Sequence, residues 1–195
     1  MNNVVKNINV SKYPLVVISD VHASVLSVQR IRNKYPDNEI ICLGDIADLW
    51  NKGATDSNKK VVNYFSENKI PTLMGNHDEW VAANQLLYQM SDEHVKYLMT
   101  LPCVFVLDFP DGKTYKCYHY KPTDFWGMDN TNMSYLDFCS TYGDADSNDG
   151  ILIGHTHTNF IRNFKNARRK FIGIGSLKYG DYALLTENGI EFKKL

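Results

Sequence analysis

The residues in this chain best suited to chemistry arrive in short blocks. They are Asp20-Val21-His22, Gly44-Asp45-Ile46-Ala47-Asp48, Gly75-Asn76-His77-Asp78, a separate His119, and Gly154-His155-Thr156-His157. Carboxylate, amide and imidazole donors in this mixture suit borderline divalent cations such as Mn²⁺, Fe²⁺ or Zn²⁺. A histidine that stays out of the coordination can also hold or pass a proton near neutral pH. A lone histidine is ordinarily structural, and that is the reading for His94, which falls on a predicted helix away from the blocks.

Four of the five blocks follow a short apolar run. Leu15-Val16-Val17-Ile18 leads into Asp20, Ile40-Ile41-Cys42-Leu43 into Asp45, Pro71-Thr72-Leu73-Met74 into Asn76, and Ile151-Leu152-Ile153 into His155. Short runs rich in β-branched residues and stopped by glycine or a polar residue read as buried strands. Open α/β sheets bind ligands beyond the carboxyl ends of their strands, where these side chains would collect. Between the first two runs, Val25, Leu26, Val28 and Ile31 repeat at helical spacing, so strand, helix and strand form a βαβ unit with parallel strands.

A second unit has its helix over 59–68 and its strand over 70–74. Two helical segments follow from Val81, Leu86, Leu87, Met90, Val95, Leu98 and Leu101, with Ser91 as a cap for the second. From Cys103 the pattern changes to hairpins: 103–109 with 114–119, 158–163 with 171–174, and 182–186 with 190–194, with a short helix predicted over 133–142. Alternation in the first half and hairpins in the second predict an α/β fold. Two packed mixed β-sheets flanked by helices, a four-layer α/β/β/α sandwich, is the expected architecture.

The 195 residues are expected to make a single domain. A net charge of −1 with 44% hydrophobic and 22% charged residues argues against disorder and against a broad nucleic-acid surface. The polar segment 1–12, followed by an apolar run of only four residues, reads as neither a signal peptide nor a membrane span. Cys42, Cys103, Cys117 and Cys139 lack CxxC spacing, so reduced thiols and a cytoplasmic location are expected.

Taken together and in this order, the blocks resemble those of the calcineurin-like metallophosphoesterases: D-x-H, G-D-x-x-D, G-N-H-D/E, a separate His, and G-H-x-H. Gly175-Ser176 resembles the family's closing turn. The resemblance implies two divalent metal ions, manganese first with iron or zinc as alternatives. Asp20, His22 and His157 would hold one and Asn76, His119 and His155 the other, with Asp45 bridging. It further implies hydrolysis of a phosphodiester or phosphomonoester by a metal-bridging hydroxide, with His77 as general acid. Asp48 would orient His77 or, alternatively, cap a helix that follows the strand.

The chain departs from the pattern in two places. His119 is followed by Tyr120-Lys121-Pro122 where the family usually has glycine. Asp48-Leu49-Trp50 replaces the Asp-Arg-Gly of the protein serine/threonine phosphatases, so the small phosphodiesterase-like members are the better match. Trp50, Trp80 and Trp126 each follow a metal block. They read first as loop packing, with a rim that stacks a nucleobase, together with Tyr120 and Phe125, as the alternative. Arg162, Lys165, Arg168, Arg169 and Lys170 read as a solvated hairpin turn. A small phosphate ester, nucleotide-containing in the rim reading, is the expected substrate. The rival to an enzyme is a protein-binding scaffold on the same fold with a vestigial or structural metal site, against which the retained His77 argues.

Overall fold

A computed structural model describes residues 4–50, 55–120, 137, 141–142, 148–164 and 169–195. The elements in chain order are β1 (Val5–Asn9), β2 (Leu15–Ile18), α1 (Val25–Lys34), β3 (Ile40–Cys42), α2 (Thr55–Glu67), α3 (Asn76–Ala83) and α4 (Asp92–Met99). Then come β4 (Val104–Asp108), β5 (Thr114–Tyr118), β6 (Gly150–Ile153), β7 (Phe160–Asn163), β8 (Lys170–Gly173), β9 (Asp181–Thr186) and β10 (Gly189–Lys194). Two mixed sheets result, one ordered β10-β9-β2-β3 and the other β1-β4-β5-β6-β8-β7.

The apolar runs explain the layering. Successive side chains of a strand point to opposite faces, and a strand covered on both sides needs apolar residues throughout. In β2, Val16 and Ile18 join a core with Val28 and Ile31 of α1 and Val61, Val62 and Phe65 of α2. Leu15 and Val17 face the other way, into a core between the sheets that includes Phe105, Leu107, Cys117, Leu152 and Ile172. A third cluster joins Tyr118 of β5, Ile151 and Ile153 of β6 and Phe171 of β8 with Tyr142.

Parallel pairing puts the site-bearing strand ends together. β2 runs parallel to β3, and β5 runs parallel to β6, so the residues just past Ile18 and Cys42, and those past Tyr118 and Ile153, emerge in matched directions. The three hairpins form as β4–β5, β7–β8 and β9–β10. Ser91 caps α4, its side chain accepting from the amide of His94. The His94 ring bonds to Ser91 Oγ at 2.8 Å and Asn63 Oδ1 at 2.9 Å, a structural role. Cys42 and Cys117 are buried free thiols. Among the described residues no helix is long and apolar enough to cross a membrane.

Several expectations need correction. The strand predicted over 70–74 contracts to one parallel bridge, Cys42 to Thr72, because Pro71 has no N–H to extend the ladder. Helix α2 begins at Thr55, four residues early. Leu86 and Leu87 lie outside α3 and α4 and are 91% and 52% exposed. The polar segment 1–12, for which no element is predicted, contains β1, which pairs parallel to β4. Four of its five residues are exposed, so backbone hydrogen bonds define an edge strand that no hydrophobic period announces. Arg169, expected in a solvated turn, is 1% exposed. Cys139, Lys121, Pro122, Phe125, Trp126, Lys165, Arg168 and most of the predicted helix at 133–142 lie outside the described residues.

Candidate metal centre

Asp20 stands two residues beyond β2, Asp45 three beyond β3, His119 directly after β5 and His155 two beyond β6. Asn76 and His77 open α3. Leaving a strand and reversing within two or three residues demands unusual backbone, and the chain adopts it where the chemistry is. Asp20, His22, Asp45, His155 and His157 all have φ between 45° and 65°. Each such non-glycine conformation costs about 1–3 kcal/mol and persists only where its surroundings over-determine it.

Those surroundings are visible in the hydrogen bonds. The Asp20 amide donates to Gly44 O at 3.0 Å and the His22 amide to Asp45 O at 2.9 Å, lacing the first block to the second. The His155 amide donates to Asp20 Oδ2 at 3.0 Å and Ser176 Oγ to Asp20 O at 2.7 Å, adding the last block and the closing turn. Asp78 is the residue whose part in this frame was not anticipated. Its buried carboxylate accepts from the amides of Asp45, Ala47 and Gly75 at 2.9–3.0 Å. Burial and neighbouring Asp45 push its pKa up to about 7 against those donors. The block's D/E position was the available signal. Close approach explains two glycines: a Cβ on Gly75 would overlap Asp45, and one on Gly154 would overlap Ser19 Oγ.

The predicted ligands fall into two sets. In one, Asp20 Oδ1 is 3.1 Å from His157 Nε2 and 3.9 Å from His22 Nε2, and the two imidazole nitrogens are 3.0 Å apart. In the other, Asp45 Oδ2 is 3.2 Å from His119 Nε2, while Asn76 Oδ1 is 3.1 Å from His119 Nε2 and 2.9 Å from His155 Nδ1. Donor atoms of Asp20, His22 and His157 lie within 4.8 Å of one another, as do those of Asp45, His119 and His155. His119 Nδ1 bonds to Leu43 O at 2.8 Å, so its Nε2 is the atom turned to the centre.

A divalent cation suits both sets. Asp20 is wholly buried and its Oδ1 faces the His157 and His22 imidazoles, and a buried carboxylate favours a cation beside it. Burial drives His22 and His155 down to about 4, leaving neutral rings with free lone pairs at pH 7. Burial also opposes a charge on His119, but Asp45 outweighs it and raises that ring to about 9. Asp45, against its own desolvation, is held well below the usual carboxylate range by His119. His157 is raised by its bond to Asp20. In both sets a carboxylate therefore holds a proton on an imidazole where a metal ion would stand.

His77 and Asp48 form an adjoining pair. His77 Nε2 lies 4.0 Å from Asp45 Oδ2, and Nδ1 lies 3.6 Å from Asp48 Oδ1. The Leu49 amide donates to Nδ1 at 3.2 Å, which leaves the ring proton on Nε2, facing the two sets. The Asp48 carboxylate accepts from the Trp50 amide at 3.0 Å and from Lys178 Nζ at 3.1 Å. Desolvation would raise this carboxyl, but His77, the Trp50 amide and Lys178 together hold it low. His22, Asp48 and His77 also converge closely enough to ligate, but the Lys178 ammonium already supplies a positive charge there, which disfavours a cation.

Among curated proteins none matches the sequence. Among solved structures, a metallophosphoesterase from Sphaerobacter thermophilus is 18% identical, covers 95% of this chain and 89% of its own, and superposes with a TM-score of 0.68. A hypothetical protein from Pyrococcus horikoshii OT3 is 12% identical over 96% of this chain and 88% of its own, with a TM-score of 0.71. A novel archaeal phosphodiesterase is 14% identical over 93% and 99%, with a TM-score of 0.56. These likenesses concern the fold. Residues 14–185 match the calcineurin-like phosphoesterase superfamily domain, and that match takes in every block gathered at the centre: the chain belongs to the calcineurin-like phosphoesterase superfamily.

Proposed function

We propose that the chain is a phosphoesterase that hydrolyses phosphodiesters ahead of phosphomonoesters, with two divalent ions at the centre and His77 as the general acid. Metal dependence and ester hydrolysis follow from the family; the diester preference, the ion count and the residue roles are this reading's own. Asp20, His22 and His157 would hold one ion, and Asn76, His119 and His155 the other, with Asp45 between them. Their mixed donors favour manganese, with iron or zinc as alternatives. Ions bound there would supply water activation near neutral pH and charge neutralisation for the phosphoryl oxygens.

The single observation that carries the reading is the His77–Asp48 pair beside Asp45. In hydrolysis, water adds to phosphorus, the P–O bond to the alcohol breaks, and the alcohol oxygen needs a proton as it leaves. His77 Nε2 carries hydrogen on the side facing the centre. A full charge on the ring requires a second proton at Nδ1, and the Asp48 carboxylate, with Oδ1 3.6 Å away, would stabilise that charge electrostatically. A scaffold or a structural metal protein has no use for such a pair. The diester preference draws support from the lack of a protein-phosphatase Asp-Arg-Gly after Asp45, and from a structural likeness to a phosphodiesterase. A cytoplasmic setting accords with the free thiols of Cys42 and Cys117.

The test is His77→Ala. Both ions should remain bound while turnover of diesters with poor leaving groups falls by about 10²–10⁴-fold. The loss should shrink on p-nitrophenyl esters, whose leaving group needs no proton. Equal losses on both substrate types would count against the acid assignment.

A further inference from the structure

We infer that the Trp50 ring is a platform for the leaving group, on which the planar base of a nucleotide substrate stacks; this rests on the phosphoesterase reading above and names its substrate class. Trp50 was expected to pack its loop onto the body. It is 77% exposed, so it does not. An indole left in water forgoes the burial that makes tryptophan valuable to a fold, and a large exposed apolar side chain is the informative departure.

The backbone beneath it is held from several sides. Asp48 N and Asp48 O bond to the Asn58 side chain at 2.8 and 3.2 Å. The Leu49 amide donates to His77, and Tyr88 Oη donates to Leu49 O at 2.7 Å. The Trp50 amide donates to Asp48 Oδ1. A fixed backbone carrying a free aromatic face is a preorganised binding surface, since little ordering entropy remains to be lost on contact.

Position supplies the identity of the occupant. The Trp50 and His77 rings stand edge to face with centroids 6.2 Å apart. An alcohol oxygen taking its proton from His77 must sit beside that ring, and whatever the alcohol carries one small ring further out arrives over Trp50. A pentose bearing a base has that form. Trp80, three residues after His77 on α3 and half exposed, adds a second aromatic face on the same helix.

The test is calorimetric binding to the metal-loaded protein of AMP, ribose 5-phosphate and inorganic phosphate. Stacking one base should make AMP bind about 5- to 150-fold tighter than ribose 5-phosphate. Trp50→Ala should abolish that difference while leaving ribose 5-phosphate binding unchanged, and Trp50→Phe should keep most of it. Equal affinity of wild-type protein for AMP and ribose 5-phosphate, or parallel loss of both in Trp50→Ala, would overturn the platform while phosphate binding left the phosphoesterase centre standing. Binding of none of the three would overturn both.

Discussion

The two sides of the centre are built on opposite principles. On one side Asp20, Asp45 and His119 are essentially buried, several backbone angles are strained, and amides from one block lock onto the next. On the other side Trp50 and Trp80 are 77% and 50% exposed, while Asp48, His77, Asn58 and Tyr88 are buried. The first side leaves no freedom because donor atoms around an ion tolerate little displacement. The second keeps a rigid backbone but open side chains, as befits a surface that meets variable substrates. The candidate ligands are thus anchored at strand ends, and the exposed indole rings stand beyond β3 and on α3.

The largest effect should come from the anchored side. Asp45→Asn removes the carboxylate paired with His119, and metal content and turnover should fall together. Lewis-acid assistance is worth several kcal/mol, so about 10³–10⁴-fold in rate is expected. Metal analysis and kinetics on one preparation check it; two firmly held ions with an undiminished rate would dissolve the contrast between the two sides.

Next in size is the frame itself. Asp78→Ala strands three buried amides, those of Asp45, Ala47 and Gly75. A destabilisation of about 3 kcal/mol or more is expected, read as a lower urea midpoint. A midpoint unchanged from wild type would mean that those amides find other partners.

The smallest effect is a pH dependence. In the metal-free protein, His119 stands at about 9 against an ordinary 6.5. A raised histidine contributes stability that is fully present below pH 6.5 and is lost as pH rises through 9. The metal-free melting temperature should therefore decline over that window. Metal affinity should move the other way, strengthening by up to about tenfold per pH unit as the proton on His119 ceases to compete. Melting curves and metal titrations from pH 6 to 9 would reveal it, and flat profiles in both would show that Asp45 does not hold a proton on His119.

Much of this molecule was legible in the residue order because local rules wrote it. Four-residue apolar runs such as Leu15–Ile18 must be covered on both faces, turn residues end them, and blocks that follow such runs must meet at a sheet edge. The Ser91 cap and the three hairpins belong to the same class, since each is decided within a few residues. Strand β1 was invisible because its outward side chains carry no pattern, and the strand at 70–74 was over-read because one proline cancels a ladder that its apolar neighbours advertise.

By itself the sequence determined which side chains reach the centre, since motif order and strand-end placement are short-range matters. Only tertiary structure decided the distances between them. It brought donor atoms of Asp45, His119 and His155 within 4.8 Å of one another, gave Asp78 three amides to hold, and brought Lys178 across 130 residues to Asp48. It also left Trp50 in solvent. Such facts depend on distances between segments far apart in the chain, and spacing along the chain carries no information about distance across it.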